Sequence, residues 1–147
     1  MADSHVTSPT PSGSPAEPLV LRLRPGDDLR LALEQEARQR DASWILLCGI
    51  GSFSTAMLRF AAAAAPAPLA GPLELLALAG TVCADGAHLH AAVANGSGAV
   101  SGGHVCAGCI VATTAEIALL PLRDTRLGRR EDPATGHPEL MVRPAGR

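Results

Sequence analysis

Residues 88–104 read His88-Leu89-His90-Ala91-Ala92-Val93-Ala94-Asn95-Gly96-Ser97-Gly98-Ala99-Val100-Ser101-Gly102-Gly103-His104, and the rest of the chain is organised around them. Two alternating runs flank Asn95-Gly96-Ser97-Gly98, residues that tolerate positive φ and fold onto their own backbone, so the stretch reads as a β-hairpin. His88 and His90 are two apart and leave the same face of the first strand. With Gly96, Ser97 and Gly98 as the loop, Asn95 pairs with Ala99 and His90 falls directly opposite His104. Opposed residues share a face with Cβ atoms about 4.5–5.5 Å apart. Three imidazoles then converge, as a divalent transition metal requires. A two-residue loop would shift the register by one and turn His104 to the other face. Histidines in sheets also serve as partly buried residues bonded to a backbone carbonyl. From spacing alone, metal ligation and structural histidines are two open readings.

At 147 residues the chain suits one domain with a real core. Its aromatics are Phe53, Phe60 and Trp44, so the core must be built by aliphatic interdigitation. All twelve basic residues are arginine, against fourteen acids, for a formal charge of −2. That is a poor footprint for a nucleic-acid binder, which concentrates cations to displace phosphate counterions. The scarcity of rings also removes base stacking. The four cysteines, Cys48, Cys83, Cys106 and Cys109, follow no basic region and apolar run of a secretory signal, and no apolar segment is long enough to span a bilayer. The expectation is a cytoplasmic protein with reduced thiols. Cys106-Ala107-Gly108-Cys109 matches CxxC, but within strand-like sequence rather than at the helix N-terminus that activates a redox thiol.

In chain order, residues 1–18 are Ser, Thr, Pro and Gly-rich and read as a disordered tail. Leu19–Arg24 alternates as a strand, and Asp27 or Asp28 can cap a helix carrying Leu29, Leu33 and Ala37 on one stripe. Arg30, Glu34, Arg38 and Gln39 on that helix are expected to face solvent. Trp44–Cys48 is continuously apolar and reads as a strand covered on both faces. Gly49-Ile50-Gly51-Ser52 follows as a tight turn, since it fits neither phosphate-loop pattern. Further strands are expected over Ser54–Ala61, Leu73–Ala79 and Cys109–Leu122, with Ala61–Gly71 as a surface connection. From Arg123 mixed charge reads as a solvated turn, and residues 143–147 as a frayed end.

These pieces together resemble the PPC domain, or DUF296, family of plants and prokaryotes. The matching elements are Gly49-Ile50-Gly51-Ser52 with Leu58-Arg59, Gly71-Pro72-Leu73-Glu74-Leu75-Leu76 with Gly80, and His88-Leu89-His90. Gly102-Gly103-His104, Gly108-Cys109-Ile110-Val111, Thr113-Thr114-Ala115-Glu116 and Thr135-Gly136-His137-Pro138-Glu139-Leu140 complete the set. The resemblance covers residues 19–142. It implies an α/β (α+β) domain, a mainly antiparallel sheet with a few flanking helices, and assembly into homotrimers. It also implies that His88, His90 and His104 form a metal site near a subunit boundary. Pro72 and Leu73 stand where plant members carry Arg and Phe, and His137 where an aromatic is usual. Plant members owe minor-groove DNA binding to a separate AT-hook, and nothing here matches its Arg-Gly-Arg-Pro core. A DNA-binding role therefore reaches this chain by family association.

Two functional classes follow. One is a non-enzymatic trimeric module binding a divalent metal, most plainly Zn²⁺, in a regulatory or assembly role. The other is a zinc-dependent enzyme whose metal-bound water has its pKa lowered towards about 7. Glu74 and Glu116 are the carboxylates nameable as a base, neither near the histidines in sequence, so no catalytic residue is assigned. A fourth ligand is open between water and Cys106, which the same register would carry opposite His88. Proton competition for the imidazoles is expected below about pH 6.5.

Overall fold

A computed structural model of the chain describes residues 16–146; most of the tail read from the sequence lies outside them. Eight strands and one helix are present among the described residues. β1 (Leu19–Leu23) leads to α1 (Leu29–Arg40), then β2 (Trp44–Arg59), β3 (Ala67–Cys83), β4 (Gly86–Asn95), β5 (Val100–Val105) and β6 (Ile110–Pro121). β7 (Thr125–Asp132) and β8 (His137–Pro144) follow. Six strands form one antiparallel sheet in the order β1-β6-β2-β3-β4-β5. A further pairing of β2 with β5, Leu58 to Val105 and Arg59 to His104, closes β2, β3, β4 and β5 on themselves. Closure removes a free edge, which β5 would otherwise present. The fold class expected from the sequence is thus present, with one helix in place of a few.

The helix forms where the pattern places it. Asp28 caps it, its side chain accepting from the Leu31 N–H at 3.1 Å, and Asp41 ends it in the left-handed conformation at φ 46°. Leu29, Leu33 and Ala37 are wholly buried and pack on β3, β4 and β6. Burying each leucine is worth about 1.5–3 kcal/mol. The opposite expectation for the polar side fails in part. Arg30 and Glu34 are mostly covered, 23% and 13% exposed, because Glu34 accepts from the Ala87 N–H and Arg30 reaches the Val105 carbonyl. The helix therefore crosses the closed sheet with two charged side chains tied to its rim.

Gly49–Ser52 is not a turn. β2 runs unbroken from Trp44 to Arg59, with register irregularities against β6 and β3. Its glycines mark close approach within a bulged strand. A Cβ at Gly51, where φ is +152°, would lie 2.3 Å from the Thr114 carbonyl oxygen. Nor is β2 covered on both faces: Trp44, Leu46 and Phe53 are buried, whereas Ile45, Leu47 and Ile50 are 40–56% exposed. β3 begins at Ala67, so the second half of the expected Ala/Pro connection is strand. The mixed-charge segment from Arg123 is also not a turn, since β7 and β8 pair as a two-stranded ribbon from Thr125–Pro144 to Asp132–His137. Pairing reaches two residues past Val142. The ribbon docks through Leu127 N–H to the Ser43 hydroxyl, Arg129 Nη2 to the Thr81 hydroxyl at 2.7 Å, and Arg126 to Asp41.

Candidate metal centre

The hairpin turn sets the register on which the site depends. Asn95 N–H donates to the Ala99 carbonyl and Gly98 N–H to the Asn95 carbonyl, with Gly98 at φ +81°. The Asn95 side-chain oxygen accepts from Ser97 N, Ser97 Oγ and Ala99 N at 2.7–3.0 Å, filling the loop with its own bonds. The loop is the three residues Gly96–Gly98, and Ala94 pairs with Val100 and His90 with His104. Leu89 points into the core, so His88 and His90 point outward together.

The three imidazoles consequently meet. One nitrogen from each of His88, His90 and His104 lies within 4.8 Å of the others. His88 Nε2 and His90 Nε2 are 3.2 Å apart, and the ring centroids are 5.1–5.6 Å apart. Two nitrogens bound at about 2.0–2.1 Å on a tetrahedral ion stand roughly 3.3 Å apart, so the donor set fits zinc in identity and the His88–His90 pair fits it in spacing, with His104 inside the same 4.8 Å group. Arg30 Nη1 is 3.3 Å from His104 Nε2. A guanidinium only donates, so His104 Nε2 is the acceptor here and its proton sits on Nδ1; a metal at Nε2 would take that lone pair in place of Arg30, which keeps its bonds to Glu34 and the Val105 carbonyl.

Electrostatics favour the neutral ring at His88 and His104. The His104 pKa is lowered to about 4, first by burial and then by the charges of His88, Arg30 and Arg59. His88 is lowered too, by burial and then by Arg129. At His88 and His104, proton competition therefore sets in at lower pH than the reference histidine value suggests. No thiol belongs to this group among the described residues. β5 leaves β4 after His104, and Cys106 N–H bonds to the Met57 carbonyl of β2. The expected placement of Cys106 opposite His88 does not occur, and Thr81 of β3 is the residue paired with His88. All four cysteines are free, and burial raises the Cys109 thiol to about 11, which leaves it protonated at neutral pH.

The two carboxylates nameable from the sequence lie elsewhere. Glu74 pairs with Ala94, four residues along β4 from His90 and so about 13 Å away, and Glu116 sits opposite Ile50 on β6. The charged side chains that do border the cluster are Arg30, Arg59, Arg129, Asp85 and Glu139, which line a cleft of about 330 Å³ with His88, His104 and His137. For Arg59 the sequence held a signal, its place in the Leu58-Arg59 motif. For Glu139 it held one of the same kind, the Thr135–Leu140 motif, and for Arg129 it held none; both arrive on the separate ribbon.

Comparison with known proteins agrees with this architecture. The model of the Plants and Prokaryotes Conserved (PCC) domain matches residues 10–123, so the chain belongs to that family. The bifunctional protein GlmU of a Synechococcus strain is 45% identical over 135 residues, 91% of this chain but only 22% of that protein. The chain thus spans about a fifth of its curated relative. A hypothetical protein from Salmonella has the same fold at a TM-score of 0.82 and 33% identity, over 90% of this chain and 97% of its own. The metal-containing protein of Archaeoglobus fulgidus matches at 0.75 over 91% and 99%, a likeness of fold at 23% identity. A candidate DNA-binding protein from Ralstonia eutropha matches at 0.69 and 26% identity, over 83% and 89%. No helix among the described residues is long and apolar enough to cross a membrane.

Proposed function

We propose that this chain is a trimeric, metal-binding module in which His88, His90 and His104 hold one divalent ion per subunit, with zinc as the natural occupant. The observation that carries the reading is the convergence of three imidazole nitrogens within 4.8 Å on one outer face. Neutral imidazoles suit zinc, and intrinsic affinity alone would also admit Ni²⁺ or Cu²⁺. The metal-containing relative of the same fold supports the reading. Trimer formation has its own support in Ile45, Leu47, Ile50 and Leu76, exposed on adjacent strands where a second copy would cover them.

A regulatory or assembly role is the reading that the family and a candidate DNA-binding relative support. The chain's charge of −2 argues against direct, sequence-specific duplex binding. A zinc enzyme is the second reading, favoured by the cleft that opens on the histidines and carries Glu139 on its wall. In that case the metal would activate a water at its free position.

Calorimetric titration of metal-free protein with zinc tests the proposal. One tight site per subunit is expected. His88→Ala, His90→Ala and His104→Ala should each abolish it while far-ultraviolet circular dichroism stays unchanged. Undiminished affinity in His90→Ala would contradict the reading.

A further inference from the structure

We propose that the cleft beside the histidines binds a small oxyanion, a carboxylate or a phosphate, whose charge Arg59 and Arg129 meet while an oxygen takes the metal's fourth position. The inference rests on the metal reading and adds the chemical class of the ligand.

Register supplies the first argument. Ala79 pairs with His90, His90 with His104, and His104 with Arg59, so one row crosses β3, β4, β5 and β2 on a single face. Arg59 therefore flanks His104 directly, with Cβ atoms about 4.5–5.5 Å apart. Arg129 approaches from the ribbon, anchored to Thr81, which is itself paired with His88. The two guanidinium groups stand on either side of the imidazole cluster and line the same cleft.

Unmet donors supply the second. Arg30 is occupied by Glu34 at 2.9 Å and by the Val105 carbonyl at 2.8 Å. Arg59 has no carboxylate within ion-pair distance among the described residues. Arg129 Nε is out of solvent with no hydrogen-bond partner among them. Arg59, half-buried with no acceptor among the described residues, keeps a free planar fork that matches carboxylate and phosphate oxygens, whereas Arg129, already bonded to Thr81 through Nη2, adds its charge to the same cleft.

Charge balance supplies the third. Three neutral imidazoles leave the whole charge of a dication uncompensated. Asp85 and Glu139 also line the cleft and bring two negative charges, Glu139 acting on His88, but neither belongs to the donor group, and a dication with Arg59 and Arg129 outweighs them by four to two. An anion supplied from solution answers the metal and Arg59 together. The cleft volume of about 330 Å³ suits a ligand at the small end of the usual range.

Zinc-loaded protein in a buffer of low anion content should be titrated calorimetrically with inorganic phosphate and, separately, with malonate. One anion per subunit is expected, and the tighter of the two probes identifies the source chemistry. In protein held saturated with zinc, Arg59→Gln should weaken anion binding at least about tenfold, and Arg59→Lys should fall between, keeping charge but losing the fork. If Arg59→Gln does not fold, Arg59→Lys reads the same contact. Zinc uptake with neither anion bound would overturn this inference alone, as would wild-type anion affinity in Arg59→Gln. Failure to take up zinc in anion-free buffer would overturn the metal reading and this inference with it.

Discussion

Replacing Gly80 by alanine should damage fold and site together, by an amount that the structure allows to be worked out. Gly80 lies on β3 opposite Leu89 with φ +139°, a conformation that L residues rarely adopt. A Cβ there would stand 2.0 Å from the His88 carbonyl oxygen and 3.0 Å from Leu89 Cα. Real Cβ contacts essentially never fall under 3.0 Å, so β4 must retreat by about 1 Å, the difference of those values. The unfavourable backbone costs about 1–2 kcal/mol. Losing one or two ladder hydrogen bonds costs about 1 kcal/mol each. The sum, about 2–4 kcal/mol, is a large part of the roughly 5–15 kcal/mol that holds a domain of this kind together. Urea unfolding of metal-free protein should show the lower midpoint with an unchanged slope. Zinc affinity should also fall, since His88 moves with its carbonyl. Gly96→Ala is the matched control: nothing lies within 4 Å of its Cβ position, and the change should stay within about 0.5 kcal/mol. A Gly80→Ala midpoint equal to that of Gly96→Ala would refute the reasoning.

Acid should destabilise the metal-free protein between pH 6.5 and about 4. The unfolded chain binds protons on His88 and His104 near pH 6.5, whereas the folded chain holds both pKa values down, His104 to about 4. The unfolded state binds more protons across that window, so stability falls as pH drops through it and gains nothing above it. Melting temperatures at pH 7.5, 5.5 and 4.5 should fall less steeply for His104→Ala, and equal slopes would contradict the assignment. Sedimentation equilibrium should give three times the monomer mass, and Ile50→Glu, which charges the exposed strip, should give monomer; a monomeric wild type would contradict the trimer. Titration of A·T-rich and mixed duplexes at physiological salt should show weak binding or none, because three chains carry −6, three times −2. A sub-micromolar complex with a steep salt slope would overturn that.

The hairpin was legible because its information is local. Asn95-Gly96-Ser97-Gly98 sets its own turn, and a period of two carries the register back to His90 and His104 without reference to the rest of the chain. The helix was legible for the same reason, through Asp28 and the spacing of Leu29, Leu33 and Ala37. What surrounds the histidines was not. Arg30 looked like a solvent-facing helical residue because amphipathic pattern shows which side is apolar, not that a rim carbonyl and an imidazole wait within reach of the other. Arg129 and Glu139 sit on a ribbon whose short, charge-rich strands have no alternating apolar pattern to announce them. Gly49–Ser52 misled for a related reason. Glycines that relieve close approach inside a bulged strand are written in the same letters as glycines of a turn. The exposed half of the Trp44–Cys48 run fits the expectation of two covered faces only if a second copy supplies the cover.

The central claim concerns which atoms hold the metal, and X-ray absorption at the zinc edge of protein purified without an affinity tag tests it most directly. The account predicts about one zinc per subunit with three imidazole nitrogens at about 2.0–2.1 Å and one further light ligand. In His90→Ala the imidazole scattering should be lost along with the metal. A sulfur shell at about 2.3 Å would bring a cysteine into the site, and an oxygen-only shell would remove the histidines from it. Either result would contradict the three-histidine centre.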